Sequence, residues 1–233
     1  MRWTGIAAVA ALWSTQAVLV AVVGFSLVGE RPLSYLALED DIGFVFGMGL
    51  TVSAVLFIVF QRQLRHRYQL GVASSVSMVV AMTGQFIAGV VPIGGTGPAS
   101  RIHVAAALTL GATIPVVMWR FAADQPAGVW RRRCYALFWL EVAACAAGIA
   151  LSRNEVAPLA ELLPALAFHI WVATVTFGPF GGALGQWWQS DSMGSRGHDL
   201  AVDRPRAAGA HRWEQALGMA QHGRRSRAQR GQA

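Results

Sequence analysis

Six long stretches of mostly apolar residues follow one another along this chain, and short polar stretches separate them. Each is roughly 19–25 residues long, which is enough for an α-helix to cross the ~30 Å hydrocarbon core of a membrane. Helices of a soluble core keep a polar face, whereas CYALFWLEVAACAAGIALS at 134–152 is apolar nearly all round. The pattern predicts an all-α, polytopic membrane helix bundle with six transmembrane helices near 5–28, 42–60, 70–92, 102–122, 134–152 and 164–188.

The chain divides into two parts of different composition. Residues 1–188 carry all six apolar stretches, and the short connections between them favour antiparallel neighbours in one transmembrane domain. Residues 189–233 are polar, contain glycine and are rich in arginine, so we expect a basic, mostly disordered cytoplasmic tail. The tail either docks on anionic lipids of the inner leaflet or on a membrane protein partner, or it is solvated without specific contacts.

The overall composition also indicates a membrane protein. Hydrophobic residues make up 55 % of the chain and charged residues 13 %, whereas a soluble domain carries roughly 25 % charged residues. All 19 basic residues are arginine. A net charge of +7 would suggest nucleic acid as the partner of a soluble protein. In a membrane protein, the distribution of positive charge indicates which side of the membrane each loop lies on. We therefore expect the lipid bilayer as the partner, and no nucleic acid.

The arginines are distributed unequally between the two sides of the predicted bundle. The connections at 61–69 and 120–133 lie on one side and contain Arg62, Arg65, Arg67, Arg120 and Arg131 to Arg133. The opposite connections contain Arg31, Arg101 and Arg153 together with Glu30, Glu39, Asp40, Asp41, Glu155 and Glu161. Because cytoplasmic loops are enriched in basic residues, both termini are predicted to be cytoplasmic in a multi-pass protein of a bacterial plasma membrane.

A few polar residues fall within the predicted helices, where they are costly in lipid and usually face the interior of the bundle. The rise of 1.5 Å per residue orders them by depth below the outer boundary, with Thr176 expected near the depth of Glu141. The resulting candidate polar column consists of Arg101, His103, Gln85, His169, Glu141, Gln16 and Thr176. The column predicts a polar binding pocket that opens outward.

Glu141 is the most informative member of this column, because an unpaired carboxylate is expensive in hydrocarbon. We interpret it either as a proton or cation site or as an uncharged, hydrogen-bonded acid that holds helices together. His169 is either a group that exchanges protons or a helix-packing hydrogen-bond partner. His103 is either an interfacial residue or a ligand of the pocket.

Motifs for cofactor binding and catalysis are missing from the sequence. The glycine-rich segment GGTGPASRIH at 94–103 lacks the Gly-Lys-Ser/Thr ending of a phosphate-binding loop. Cys134 and Cys145 are about 16 Å apart along one predicted helix, too far for a disulfide. His103 and His169 differ in predicted depth by roughly 7 Å, which disfavours a shared haem. We expect no metal, no other cofactor and no catalytic residue.

Two segments of the chain resemble a known family. They are RPLSYLAL at 31–38, after the first helix, and VPIGGTGPASRIHVAAALTLG at 91–111, between the third and fourth helices. Together with the order of the spans, they resemble the domain of unknown function 998 family of bacterial six-helix membrane proteins, and are similar to the Frag/DRAM/Sfk membrane family. The resemblance implies a six-helix integral membrane protein and brings no reaction or catalytic residue. Ile93 follows Pro92 where the first family often has an acidic residue.

Three functions remain open from the sequence. The first is a non-enzymatic membrane protein whose outward-facing pocket accepts a lipid headgroup, a small solute or protons. The second is a structural or regulatory subunit of a membrane complex that docks through its basic tail. The third, an intramembrane oxidoreductase or hydrolase, is disfavoured because no set of metal ligands or nucleophile and base is complete.

Overall fold

Six α-helices and one short 3₁₀ helix make up most of the chain that the computed structural model describes, residues 3–27, 29, 31–39, 42–91, 93, 97–152 and 156–178. The elements are α1 (Thr4–Val23), the 3₁₀ helix (Leu33–Leu38), α2 (Gly43–Tyr68), α3 (Val72–Val90), α4 (Pro98–Asp124), α5 (Val129–Leu151) and α6 (Ala157–Phe177). All six α-helices are long and apolar enough to cross a membrane. The predicted all-helical fold with six candidate spans is therefore confirmed for these residues. The tail at 189–233 and the predicted end of the sixth span lie outside them.

The helix bounds differ from the predicted spans by four or five residues at the end of α1 and at the starts of α4 and α5, and by seven or eight residues at two further places. α2 continues to Tyr68, beyond its predicted end near residue 60, because its last turn carries basic side chains that suit the negative end of the helix dipole. α6 begins at Ala157 rather than near residue 164, because Pro158 occupies a first-turn position where proline is favoured. Residues 157–163, predicted as a connection, therefore belong to α6.

The helices pack in chain order, each against the next, and α6 also packs against α1 and α4. Aromatic rings fill the space between α2, α4 and α6. The Phe57 and Phe168 ring centroids are 5.2 Å apart, and the Trp171 ring meets Phe121 edge-on at 5.3 Å. All four side chains are buried, so α6 contributes two of the rings at the centre of the bundle.

The two ends of the bundle are built differently. The 3₁₀ end, which contains the α1–α2, α3–α4 and α5–α6 connections, is covered by the 3₁₀ helix. Leu33 and Leu36 of this helix are buried against Leu19 of α1 and Phe46 of α2. The opposite end, with the α2–α3 and α4–α5 connections, carries the seven arginines at 62–67 and 120–133 and is called the arginine end below.

At the arginine end, α2 caps the last turn of α6. Arg67 Nη1 donates to the Thr176 carbonyl oxygen at 2.8 Å, and the Tyr68 hydroxyl donates to the Val175 carbonyl oxygen at 2.8 Å. The last carbonyls of a helix lack partners in their own helix, and a cation there also complements the helix dipole. These two bonds therefore fix the end of α6 against α2.

Gly84 allows α3 and α4 to approach each other closely. A Cβ atom at this position would lie 2.7 Å from the Ala106 carbonyl oxygen and 3.1 Å from the Leu110 backbone nitrogen. Both neighbours are backbone atoms, which cannot move aside by a rotamer change. Gly111, also within a helix, has no heavy atom within 4 Å of the equivalent Cβ position, so it provides a matched control.

We expect Gly84→Ala to separate α3 from α4 and to lower the free energy of unfolding by about 1–3 kcal/mol, the usual cost of overpacking. Gly111→Ala should leave stability unchanged or raise it by up to about 1 kcal/mol, because alanine favours the helix. Thermal unfolding of the two purified variants in detergent measures the difference. Equal unfolding midpoints for the two variants would contradict the close α3–α4 contact.

Candidate functional site

Glu141 is the most deeply buried acid of the described chain, with 1 % of its surface exposed. Its Oε1 atom accepts a long hydrogen bond of 3.6 Å from the Cys145 thiol, one turn further along α5. Its Oε2 atom has no hydrogen-bond partner among the described residues. A thiol is a weak donor, so the carboxyl group is poorly satisfied for a buried polar side chain.

The carboxyl side chain of Glu141 belongs to the face of α5 that packs against α6. Cys134, Glu141 and Gly148 are the buried residues of α5, and their spacing of seven places them on one face. At Gly148 this face touches α6, where a Cβ atom would lie 2.6 Å from the Ala160 carbonyl oxygen. Glu141 therefore lies in the middle of the α5–α6 interface.

His169 lies on the other side of α6. Its Nδ1 atom accepts a hydrogen bond of 2.7 Å from the Trp13 indole N–H of α1, and its ring stacks on Phe57 of α2 at 5.9 Å between centroids. An Nδ1 atom that accepts a hydrogen bond carries no proton, so the neutral ring holds its proton on Nε2. His169 therefore joins α6 to α1 and α2, and it does not face α5.

The polar residues predicted nearer the outer boundary each bond to a backbone carbonyl group. His103 is buried, and its Nδ1–H donates to the Val91 carbonyl oxygen at 2.7 Å. Gln85 is also buried and donates through Nε2 to the Leu50 carbonyl oxygen at 3.0 Å. The His103 bond joins α4 to the end of α3, and the Gln85 bond joins α3 to α2. Arg101 is exposed at the start of α4.

The two remaining residues of the predicted column lie on α1 and in the last turn of α6. Gln16 is half-buried on α1. Thr176 is buried in the last turn of α6 at the arginine end, where its hydroxyl donates to the Val172 carbonyl oxygen at 2.7 Å. Its expected position near the depth of Glu141 is wrong, because α6 begins at Ala157 and Thr176 is therefore almost at its end.

Glu161, which the sequence pattern indicates only as an acid of an outer connection, holds the 3₁₀ helix in place. The Ser34 backbone N–H donates to Glu161 Oε2 at 3.0 Å, and the Ser34 hydroxyl donates to Oε1 at 2.9 Å. His103 interacts electrostatically with the same carboxylate. No short-range pattern indicates this contact, because the two residues are 127 positions apart.

The group of Ser34, Glu161 and His103 contains the residue types of a hydrolytic triad but not its arrangement. In a triad the serine hydroxyl bonds to the histidine, which in turn bonds to the acid. Here the hydroxyl proton of Ser34 is committed to Glu161, and Nδ1 of His103 donates to a backbone carbonyl. The geometry therefore supports a structural latch and not an activated nucleophile.

Neither metal nor disulfide chemistry is indicated in the part of the chain that the structure describes. It contains no group of three or more His, Cys, Asp or Glu side chains that could hold a metal ion. Cys134 and Cys145 are both free. Among the described side chains, Glu141 therefore remains the most conspicuous candidate for a functional group.

Comparisons with protein-family models, with curated proteins and with solved structures find no match to this chain.

We expect Ser34→Ala to loosen the 3₁₀ helix by about 1 kcal/mol, because the variant loses one hydrogen bond to Glu161. Hydrogen–deuterium exchange of the backbone at residues 33–38 should become roughly five-fold faster. Ser14→Ala is the control, since that hydroxyl is exposed and bonds only within α1, to the Ala11 carbonyl oxygen. Unchanged exchange at 33–38 in Ser34→Ala would show that the latch does not hold this segment.

Proposed function

We propose that this chain is a non-enzymatic, multi-pass membrane protein whose helix bundle binds a proton or the polar group of a small solute at Glu141. The observation that carries the proposal is the buried carboxyl oxygen Oε2 of Glu141, which has no partner among the described residues. An ionisable residue inside a membrane span is costly, and such residues commonly mark binding sites and proton pathways. The proposal narrows the predicted seven-residue column to one acid in the α5–α6 interface.

The other buried polar residues of the predicted column differ from Glu141 in the hydrogen bonds that they make. Gln85, His103 and His169 are buried, and each makes a short hydrogen bond that joins one helix to another. A purely structural role accounts for each of these bonds. Glu141 makes its one bond to a thiol on its own helix, so it does little to join α5 to another helix and leaves one oxygen available to a ligand.

We further propose that the protein lies in a bacterial plasma membrane with the arginine end and both termini in the cytoplasm. The arginines at 62–67 and 120–133 support this orientation, because basic residues are retained on the cytoplasmic side. The resemblance to the domain of unknown function 998 family stays a prediction. Docking of the basic tail on anionic lipids or on a membrane protein partner also stays a prediction, since residues 189–233 lie outside the described residues.

If Glu141 takes up and releases a proton, infrared difference spectra between acid and alkaline pH should contain a band from its carboxyl group. We expect Glu141→Gln to remove this band from full-length protein reconstituted in lipid. Glu161→Gln, the matched control, should retain it, because the band comes from the carboxyl group of Glu141. A difference spectrum that is identical in wild type and Glu141→Gln would refute the proton site.

The proposed orientation is tested with single cysteines at the two ends of the bundle. In a background with Cys134→Ala and Cys145→Ser, Gly97→Cys lies at the 3₁₀ end and Ala127→Cys in the α4–α5 connection; both positions are exposed. A membrane-impermeant maleimide added to intact cells should label only position 97. Labelling of position 127 alone would reverse the orientation.

A further inference from the structure

Five buried polar side-chain atoms have no hydrogen-bond partner among the described residues, and two of them lie on α5 and α6. These two are Oε2 of Glu141 and Nε1 of Trp171. The other three lie on α2 and α3, on Ser53, Gln61 and Ser75. Trp171 is fully buried, at 0 % exposure. The two atoms are complementary, since the indole N–H only donates a hydrogen bond and a carboxylate oxygen accepts one.

The α5–α6 contacts show which face of each helix meets the other. At one end Gly148 lies against Ala160, and at the other end Gly178 lies against the Trp130 ring. On α6, Ala160 and Pro164 both lie against Gly148, and residues 160, 164 and 171 lie within about 40° of one direction at 100° per residue. Trp171 therefore lies on the side of α6 that turns toward α5, and its ring also meets Phe121 of α4. His169, two residues earlier, points about 160° away from Trp171.

Glu141 occupies the corresponding position on α5. Residues 130, 141 and 148 lie within about 20° of one direction, which is the direction of the contacts with α6. Counted from the Gly148–Ala160 contact, Glu141 is level with about residue 167 of α6, and Trp171 follows by about four residues, or roughly 6 Å of rise. The carboxyl group and the indole thus come from facing sides of the two helices, about one helical turn apart along the bundle, a separation that two long side chains and one hydroxyl group can bridge.

We propose that Glu141 and Trp171 form a binding site for one hydroxyl group, supplied by a water molecule or by an alcohol group of a solute. A hydroxyl oxygen has two lone pairs and at least one proton. It accepts from the Trp171 indole and donates to Glu141 when the acid is charged. When the acid is protonated, the same oxygen accepts from both. The inference rests on the proposed function, because it names the ligand chemistry of the Glu141 site.

Cys145 contributes to the selectivity of this site. Its thiol is directed at Oε1 of Glu141, which leaves Oε2 as the oxygen that is open to the ligand. The surrounding residues of the interface are small or apolar, among them Cys134, Gly148 and Pro164. A single small polar group therefore fits the chemistry of the site, whereas a bulky charged headgroup would find no counter-charge here.

The test uses the infrared carboxyl band assigned to Glu141, measured on full-length protein in lipid. Trp171→Phe removes the indole N–H, and we expect it to shift the Glu141 band. Trp139→Phe is the matched control, because Trp139 lies on α5 with 63 % of its surface exposed; it should leave the band in place. If Trp171→Phe does not fold, the indole N–H signals of ¹⁵N-tryptophan-labelled Glu141→Gln provide the second measurement. One signal should move relative to the wild type.

The outcomes separate this inference from the function on which it rests. If no Glu141 band exists, the proton site of the proposed function fails, and the indole signals of the labelled protein then test the hydroxyl site. If the band exists but is identical in Trp171→Phe and the wild type, only the shared hydroxyl site is overturned. In the ¹⁵N-labelled protein, the hydroxyl site is likewise overturned if no indole N–H signal differs between Glu141→Gln and the wild type. If the band shifts, titration with methanol identifies the source of the hydroxyl. A saturable further shift indicates a solute alcohol, and no further shift indicates water.

Discussion

Polar groups that the helices bury must find their hydrogen bonds inside the protein, because the hydrocarbon of a membrane offers none. In the described bundle, several side chains meet this requirement by bonding to the backbone of a neighbouring helix. Gln85 of α3 bonds to the Leu50 carbonyl of α2, and Tyr68 of α2 bonds to the Val175 carbonyl of α6. Such bonds satisfy the buried group and also fix one helix against the next.

The need for internal hydrogen bonds fixes the position of α6 in particular, because this helix is bonded to other elements near both of its ends. Near its start, Glu161 holds the 3₁₀ helix through Ser34, and near its end Val175 and Thr176 are capped from α2. A helix that is held at both ends has a defined rotation about its axis. That rotation turns His169 toward Trp13 of α1 and leaves the opposite face of α6 against α5.

The number and type of the helices could be predicted from the sequence, because a membrane span needs only length and apolar composition. The start of α6 could not, since the stretch APLAELLP at 157–164 has the pattern of a connection. Its acid is bonded by Ser34, 127 positions away. The position of Glu141 near the middle of its helix could likewise be predicted, but the side of each helix that meets a neighbour could not. When a helix is equally apolar all round, its sequence does not indicate which side meets a neighbouring helix. A prediction from depth alone therefore places His169 and Glu141 in one column, although the two side chains face different helices.

The two glutamates of the α5–α6 hairpin show why Glu141 differs from a structural acid. Glu161 has both oxygens occupied by Ser34, and its bonds hold one segment to another. Glu141 has one weak bond within its own helix. Leaving a buried polar group unsatisfied costs about 1–3 kcal/mol, whereas an apolar side chain of similar size would avoid that cost and pack equally well. The carboxyl group therefore contributes little to holding this bundle together, and its unpartnered oxygen is the feature on which the proposed ligand site rests.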